Sequence, residues 1–488
     1  MKMSQFREKS KQWQYLLILL LTMGMLFGAC PAYCTDYNDY YVAPDGNDTT
    51  GDGSIGSPYK TITKAVTMVA AGGTIYLRGG QHDYSQTIQI SKSGDANNPI
   101  TLQAYQDEVP ILDFTEQPTG DDYKGIALNG NYWHLKGFIV QYAGFNGVRV
   151  LGAHNILERL ITRRNGDTGL HLHAPASYNQ VINCDSYLNY DPEESGQDAD
   201  GFGAKGPTDD SASLGPGNEF IGCRAWNNSD DGFDFWHAGA AVTVKDCWAW
   251  RNGDDVWGDG GFTGNGNGFK LGHGSGAHKL IRCVAYDHKT HGIDLNGNTS
   301  GVKIYNCTCV SSAGKNFYFD EHSSIHKMRN NLSHLGSVTI YTEIDDVNNS
   351  WNGFTVTNAD FASLDPKMND ITNPDTYSNA DSNGIDSPRG PNGELPKLRF
   401  LRLARTSSLI DAGIDVNEPF YGDAPDLGAF EHIDGDCQPD GSVNWVDLWC
   451  LTSNWLDSGC GTCNGADFDG DSSVDLYDFA VMGSNWEE

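Results

Sequence analysis

Basic residues are scarce in this sequence: 32 Lys and Arg stand against 64 Asp and Glu, which gives a formal net charge of -32. A surface of that sign repels nucleic acid, so we expect no nucleic-acid partner. A polyanionic ligand would need a local positive site. The acidity itself has two interpretations, a solvated surface or carboxylates that are offset by bound divalent cations.

Long hydrophobic runs are lacking after Ala29, and no later stretch is long and apolar enough to span a bilayer. The one apolar run, Tyr15–Ala29, follows several basic residues. A basic start and a short apolar run predict a secretion signal, with residues 1–34 as signal peptide and N-terminal segment. Leu26–Cys30 also resembles a bacterial lipoprotein signal. The sequence therefore predicts a secreted protein, with a lipid anchor at the cell surface as the alternative.

Cysteine is more informative than its total of 12 suggests, because five thiols share one local pattern at spacings of 39, 24, 36 and 24 residues. These five are Cys184, Cys223, Cys247, Cys283 and Cys307. A unit of about 24 residues, sometimes enlarged by a loop, is typical of one coil of a β-solenoid. Thiols at one coil position would stack in the core as small hydrophobes, and metal ligation is the alternative.

A second repeat consists of a Gly, an apolar residue, a variable residue and another apolar residue. Period two puts the apolar pair inside and the variable residue outside. The variable residues then form one outward-facing column: Arg149, His171, Gly203, Asp234, Lys270, Asp294 and Tyr318. The residues before each Gly form a neighbouring column: Asn146, Thr168, Asp200, Asp231, Asn267 and His291.

The chain around these repeats completes an all-β prediction, a single parallel β-helix over residues 35–432. Residues 59–71 predict an amphipathic helix that closes the open end of the solenoid, where unpaired strand edges would otherwise be exposed. Residues 373–397 are polar and rich in Gly and Pro, which predicts a loop excursion. Residues 407–431 resemble the terminal segment of many bacterial β-helix proteins.

Oxygen-bearing side chains recur near the C-terminus at positions 1, 3, 5, 9 and 12 of two loops that lie 31 residues apart. The first loop has Asp436, Gln438, Asp440, Asn444 and Asp447, and the second has Asp467, Asp469, Asp471, Asp475 and Asp478. This is the ligand spacing of an EF-hand-type calcium loop.

Two such half-loops, each leading into a helix, resemble a type I dockerin over residues 433–488. The resemblance implies a small α-helical calcium-binding domain and a cohesin-like scaffold as its partner. Gln438 replaces an expected Asp or Asn, which weakens the first loop, and Ser472 replaces the usual Gly, which strains the second. Four cysteines here are unusual for that family and predict disulfides: Cys437, Cys450, Cys460 and Cys463.

Four aspartates converge in the central coils. The repeats make Asp200 and Asp231 vertical neighbours, with Asp230 beside them and Asp234 one strand step along. Like charges this close repel, so the group needs a cation, and ligands that are all oxygen favour Ca²⁺ over zinc. Lys270 lies one coil beyond Asp234 in the outward-facing column.

These motifs, with Gly215–Asn218 and Cys223–Trp226 between them, resemble family 9 polysaccharide lyases, which include pectate lyases. The likeness is strongest from Asp198 to Gly272 and implies a right-handed β-helix. It also implies calcium ligands at Asp200, Asp230, Asp231 and Asp234, and a Brønsted base at Lys270.

Such enzymes cleave uronate chains by β-elimination: a base removes the C5 proton, and the C4 oxygen leaves. The base must be neutral, and a nearby cation and partial burial would lower a lysine pKa from its reference value of about 10.4. Weaker candidates for contact with the sugar are Arg149, His171, Lys205, Arg224 and Asp294. The predicted partner is an acidic polysaccharide, pectin or pectate.

Three other functions fit part of the pattern. A rhamnogalacturonan lyase would use the same fold and chemistry. A β-helix glycoside hydrolase would use paired carboxylates, although it would give Lys270 no role. A noncatalytic carbohydrate-binding surface protein would bind the polymer without shortening it. Only elimination yields an unsaturated product that absorbs ultraviolet light.

Overall fold

A computed structural model of the chain describes residues 39–207, 213–320, 324–341, 343–369, 371, 373–460, 462–468 and 471–486. The predicted signal segment, residues 1–34, lies outside the described residues. The described chain has 32 short strands in three parallel sheets, with a few short helices.

Sheet A contains 12 strands, and each pairs in parallel with its neighbours. Its strands are β1 (Tyr40–Val42), β2 (Thr74–Leu77), β5 (Ile100–Ala104), β8 (Trp133–Lys136), β11 (Ile156–Glu158), β14 (Gln180–Ile182), β17 (Asn218–Ile221), β20 (Val242–Lys245), β23 (Lys279–Ile281), β26 (Lys303–Tyr305), β29 (His326–Arg329) and β32 (Ile344–Val347).

Sheets B and C contain 10 strands each. Sheet B consists of β4 (Ile88–Ile90), β7 (Ile126–Leu128), β10 (Val148–Val150), β13 (Leu170–His173), β16 (Phe202–Lys205), β19 (Phe233–Asp234), β22 (Phe269–Lys270), β25 (His291–Asp294), β28 (Lys315–Phe319) and β31 (Val338–Ile340). Sheet C consists of β3 (Gly80–Asp83), β6 (Pro110–Asp113), β9 (Ile139–Gln141), β12 (Ile161–Arg163), β15 (Asp185–Tyr187), β18 (Arg224–Trp226), β21 (Trp248–Trp250), β24 (Val284–Tyr286), β27 (Thr308–Val310) and β30 (Leu332–His334).

The chain visits the three sheets in turn, so every third strand stacks on the one before, which confirms a parallel β-helix. Apolar residues of all three sheets fill its interior. Phe202, Phe233 and Phe269 stack there with ring centroids 4.9 and 4.8 Å apart, and all three are fully buried. Period-two alternation therefore sends the residue between two such apolar positions out of the core.

The five repeated thiols are buried and free, and they stand one residue before register-matched positions of sheet C. The backbone N–H of Cys223 points at the sulfur of Cys247, 3.3 Å away. The predicted stack is confirmed. Packing explains it, because these thiols lie among core hydrophobes.

Asparagine ladders hold the turns of successive coils together. Asn165, Asn189, Asn228 and Asn252 form one ladder, in which each side-chain amide donates to the next side-chain oxygen at 3.0, 2.8 and 3.0 Å. The ladder ends on His288, whose Nδ1 accepts from the Asn252 N–H. Buried amides are paired in this way coil after coil, which stabilises the turns.

The two ends of the β-helix differ from the expectation in extent. A helix does close the N-terminal end, as α1 (Ile62–Met68), where the Thr61 side chain accepts from the Lys64 N–H. At the other end the last named strand stops at Val347, so the strands end well before residue 432, the predicted end of the domain. Beyond Val347 the Gly and Cys repeat that marks each coil does not continue.

The described part of residues 348–432 forms a mostly irregular segment, with one short 3₁₀ turn at Asn358–Asp360. This segment covers the outer face of sheet C. Its apolar residues, among them Ile385 and Phe400, form a second core with the stacked rings of Tyr187, Trp226 and Trp250.

The C-terminal residues contain α2 (Trp445–Ser453), a 3₁₀ turn (Cys463–Gly465) and α3 (Leu476–Ser484) around a third small core. Disulfides join Cys437 to Cys450 and Cys460 to Cys463. The longest described helices have 9 residues, and none combines the length and apolarity needed to span a bilayer.

Candidate active site

The outward-facing column of sheet B has the predicted register. Arg149 pairs with His171, His171 with Gly203, Gly203 with Asp234, and Asp234 with Lys270. Asp294 and Tyr318 continue the column. The column forms the floor of a cleft of about 460 Å³, which Arg149, His171, Asp234 and Lys270 line.

An acid cluster lies beside this floor. One carboxylate oxygen from each of Asp200, Asp230 and Asp231 lies within 4.8 Å of the others, and all three residues are buried. The loop that precedes β22 holds two of them, because the N–H of Asn265 donates to Asp230 and the N–H of Asn267 donates to Asp231 at 2.7 Å. A compact group of buried, oxygen-only donors fits a hard divalent cation such as Ca²⁺.

Two lysines bind the acid cluster on its open side. Lys205 Nζ lies 2.6 Å from Asp200 Oδ2 and 2.9 Å from Asp234 Oδ2. Lys270 Nζ lies 2.9 Å from Asp231 Oδ2 and 3.6 Å from Asp234 Oδ2. Asp234 thus stands between two ammonium groups, while the other three aspartates form the compact group.

Burial and charge act against each other here. Burial raises the pKa of Asp230 to about 7, and Asp231 adds to that shift. Burial would also raise the pKa of Asp234, but the ammonium groups of Lys205 and Lys270 outweigh it and lower that pKa. Burial would lower the pKa of Lys270, but Asp231, Asp234 and Asp230 raise it well above its ordinary value. The lysine therefore stays protonated unless the charge of the aspartates is offset.

Gly203 makes room for the Lys205 side chain. A Cβ at this position would lie 3.3 Å from the His171 ring and 3.4 Å from the Lys205 side chain. The missing side chain therefore leaves a gap in the column, across which Lys205 reaches Asp200 and Asp234.

Not every sequence-predicted residue lies in the cleft. Arg224 is fully buried on sheet C, where it binds Asp185 through two hydrogen bonds of 2.9 and 2.7 Å and donates to the Ser387 carbonyl. It anchors the covering segment to the coils and is inaccessible to a ligand in the cleft. Asp294 lies one coil beyond Lys270 and is buried, with its pKa raised to about 7 by burial.

Two cleft residues, His173 and Trp236, were not singled out from the sequence, and the contacts of Asn267 with the acid cluster were not predicted. His173 lies two positions after His171 on the same face of β13 and lines the cleft, so period two could have found it. Trp236 lies two positions after Asp234, with its ring centroid 5.3 Å from Lys270 Nζ. Asn267 donates both its backbone N–H and its side-chain amide to Asp231. These contacts depend on how neighbouring coils stack, and no local pattern in the sequence indicates them.

In the C-terminal loops the predicted ligands accept hydrogen bonds from nearby backbone N–H groups, and Asp469 lies outside the described residues. In the first loop the N–H of Gly441 donates to Asp436 and that of Gln438 donates to Asp447. Burial raises the pKa of Asp436 to about 6, and the neighbouring Asp440 and Asp447 add to it.

The second loop repeats this pattern. The N–H of Ser472 donates to Asp467 at 3.0 Å, and Asp475 begins α3 by accepting from Tyr477 and donating to Asp478. Ser472 has a φ of +70°, in the left-handed region where glycine is preferred, so the strain expected at this position is present.

Comparisons with known proteins match most of the chain. A family profile described as "Pel9A-like, right handed beta helix region" matches residues 40–331. Pectate lyase L of Dickeya dadantii is 38% identical over 408 residues, covering 80% of this chain and 90% of that protein. Pectate lyase L of Paenibacillus polymyxa is 36% identical over 404 residues, covering 77% and 83%.

Two solved structures have similar folds. A crystal structure of pectate lyase Pel9A has a TM-score of 0.72 at 38% identity and covers 81% of this chain and 96% of that one. A structure titled rhamnogalacturonan lyase has a TM-score of 0.63 at 27% identity and covers 75% and 96%.

Proposed function

This chain belongs to the Pel9A-like, right-handed β-helix family and is a polysaccharide lyase, and from that premise we propose that it is a calcium-dependent pectate lyase. The observation that supports the proposal best is the contact of Lys270 with the acid cluster. A lysine 2.9 Å from a buried aspartate of an all-oxygen site combines a base with a place for a cation.

The reaction is a β-elimination on a uronate residue. Lys270 Nζ takes the C5 proton, the electron pair of that C–H bond forms the C4–C5 double bond, and the C4–O bond breaks. The leaving oxygen then collects a proton from water. Because the C5 proton is only weakly acidic, the charge that develops on the neighbouring carboxylate must be stabilised.

The aspartates would hold the cation that supplies this stabilisation. Calcium held by Asp200, Asp230 and Asp231, with Asp234 at their edge, would act as a Lewis acid toward the substrate carboxylate. Lys205 adds a second positive charge to the same part of the cleft, so we assign it to binding the carboxylate of the reacting residue. Lys270 can become neutral when the charge of the surrounding aspartates is offset.

A rhamnogalacturonan backbone is the second candidate substrate. It is favoured by the likeness to the structure titled rhamnogalacturonan lyase. Both polymers contain uronate residues that can undergo the same elimination, so the two candidates differ in substrate and not in mechanism.

A panel of polymers tests the proposal. The purified chain would be incubated with polygalacturonate, methyl-esterified pectin and rhamnogalacturonan, each with calcium or with a chelator. We expect unsaturated product, seen by ultraviolet absorbance, from polygalacturonate with calcium only. Shortened chains without that absorbance would contradict a lyase mechanism. Asp231→Asn should need more calcium for the same rate, whereas Asp246→Asn, on the surface away from the cleft, should not.

For residues 433–488 we propose a dockerin-like module that binds calcium and a cohesin-like scaffold. Four large apolar side chains on α2 and α3 are exposed, which supports a docking surface. Their exposed fractions are 75% for Trp445, 68% for Trp449 and 71% for both Leu476 and Tyr477. A panel of immobilised cohesin domains should retain the full chain with calcium, and Trp445→Ala together with Tyr477→Ala should abolish retention. Equal retention of the variant would contradict this surface.

Secretion is proposed from the basic start and the apolar run of residues 1–34. Expression in a bacterial host followed by N-terminal sequencing of the protein in the medium would test it. A lipid-modified Cys30 in the membrane fraction would support the anchored alternative instead.

A further inference from the structure

Three side chains at one end of the cleft have buried polar atoms that find no hydrogen-bond partner among the described residues. These atoms are Nε of Arg149, both ring nitrogens of His171 and Nδ1 of His173, and all three residues line the cleft. A buried polar atom without a partner is unfavourable, and native structures seldom leave several together. The arrangement indicates that a ligand in the cleft completes their hydrogen bonding.

This group begins beside the acid cluster, where His173 is the register partner of Lys205, and Arg149 lies at its far end. Three steps of strand register separate Arg149 from Asp234, by way of His171 and Gly203. At about 4.8 Å per step, the separation along the floor is roughly 14 Å. A ligand that reaches both Arg149 and the acid cluster must therefore be a chain of several sugar residues.

Two cations, Arg149 and Lys124, stand at this end together with the carboxylates of Asp121 and Asp167. Arg149 forms no ion pair or hydrogen bond with the described residues, and Lys124 lies nearby, 5.3 Å above the Phe145 ring. The nearest buried carboxylate, Asp167, already accepts from the Asn146 amide at 2.8 Å, and burial raises its pKa to about 7. The guanidinium fork is free to bind a planar carboxylate through two hydrogen bonds.

We propose that Arg149, His171 and His173 form a second carboxylate-binding subsite, which selects polymers with free carboxylates on residues several units from the cleaved bond. This proposal rests on the proposed function. Unesterified homogalacturonan has such a carboxylate on every residue. Methyl esterification removes the charge, and a backbone that alternates acidic with neutral sugars offers half as many carboxylates.

Equilibrium binding tests the subsite without relying on turnover. Lys270→Ala would serve as the inactive parent, and its affinity for hexagalacturonate and trigalacturonate would be measured by calorimetry with calcium. Adding Arg149→Gln should weaken hexamer binding at least about tenfold, because one charged partner is lost, and should leave trimer binding unchanged. The matched control is Lys327→Gln, an equal charge change at an exposed position of sheet A, which should alter neither affinity.

Kinetics give a second measurement. In the active enzyme, Arg149→Gln should raise the KM for polygalacturonate about tenfold with kcat within a few-fold, and Arg149→Lys should recover part of the loss. Unchanged hexamer affinity and unchanged KM in Arg149→Gln would overturn the subsite. If the unsubstituted chain forms no unsaturated product from any uronate polymer, the proposed function is overturned instead, and the binding result still stands.

Discussion

The chain gathers aspartates in two different ways. In the cleft, Asp200 and Asp231 lie 31 residues apart and meet because sheet B stacks their strands, so that the Asp231 N–H donates to Asp200. In the first C-terminal loop, Asp436 and Asp447 lie within one short loop, held by backbone N–H groups of that loop. The same side chain is thus placed by register in one region and by local spacing in the other.

The two regions also balance their charge differently. Lys205 and Lys270 bind the cleft aspartates, which sit over a core filled by stacked aromatic rings. Asp436 and Asp447 are paired with backbone N–H groups, and burial raises the pKa of both. We therefore expect a cation to serve chemistry in the cleft and folding in the C-terminal residues.

The largest effect should come from one cleft side chain. Lys270→Arg should lower the rate of unsaturated-product formation about 10²–10⁴-fold, because a guanidinium keeps the charge of the ion pair but stays protonated and cannot accept the C5 proton. The rate would be measured on polygalacturonate at saturating calcium, and the melting temperature should match the parent. A rate within a few-fold of the parent would mean that Lys270 is not the base.

Calcium removal should separate the two regions. Calorimetry of the full chain should show a minor transition from residues 433–488 that moves down with chelator by roughly ten degrees or more. Calcium at 100 times its Kd adds about 2.7 kcal/mol per site to the free energy of unfolding. A change of about 1 kcal/mol shifts the melting temperature of a small domain by roughly 4–8 °C. The β-helix transition should move less. Asp436→Asn should reduce only the minor shift, and equal shifts of both transitions would contradict the comparison.

Acid should weaken the β-helix through its buried histidines. His278 accepts the Val242 N–H through Nδ1, and burial lowers its pKa to about 3, below the unfolded value of about 6.5. The neutral His278 ring contributes fully to the free energy of unfolding above about pH 6.5. This contribution is lost as the pH falls toward 3, by about 1.4 kcal/mol per pH unit at most. His278→Asn keeps an acceptor as in the asparagine ladders, so its melting temperature should fall less between pH 7 and pH 4. Parallel curves for variant and parent would refute this.

The smallest effect should come from one turn. Ser472→Gly relieves a side chain at φ +70° and should stabilise the minor transition by about 1 kcal/mol. Gly441, at φ +90°, occupies the equivalent position of the first loop, and Gly441→Ser should have the opposite effect. A destabilised Ser472→Gly would show that the second loop does not need glycine-like geometry.

Much of the β-helix could be predicted from sequence, because period two and repeated Gly and Cys positions define the strand register. The column from Arg149 to Lys270 follows from that rule alone. Its end at Val347 could not be predicted in the same way, since residues 348–432 pack on sheet C through contacts that are distant in sequence. Arg224 shows the reason, because its partner Asp185 and the carbonyl of Ser387 lie in other coils and in the covering segment.

The candidate site also combines residues that the local sequence predicts with contacts that depend on residues distant in sequence. The four aspartates and Lys270 could be predicted as candidates because a local motif marks each of them. The contact of Lys205 with both Asp200 and Asp234 depends on the gap at Gly203, and the support of Asp231 by Asn267 depends on the stacking of neighbouring coils. Such contacts become visible only when the register is known in three dimensions.

The asparagine ladder also bears on how this cleft could change over evolution or by engineering. Its side-chain bonds are equally short whether the partners are 24 residues apart, as in Asn165 and Asn189, or 39 apart, as in Asn189 and Asn228. The fifteen extra residues fall mainly in two turns, between β15 and β16 and between β16 and β17, and the strands still pair in register with the preceding coil. Loops of this kind can be exchanged while the strands stay in register. The residues around the cleft can then change while the column of sheet B that forms its floor is kept. Polymer specificity can diverge in this way without a change in the elimination chemistry.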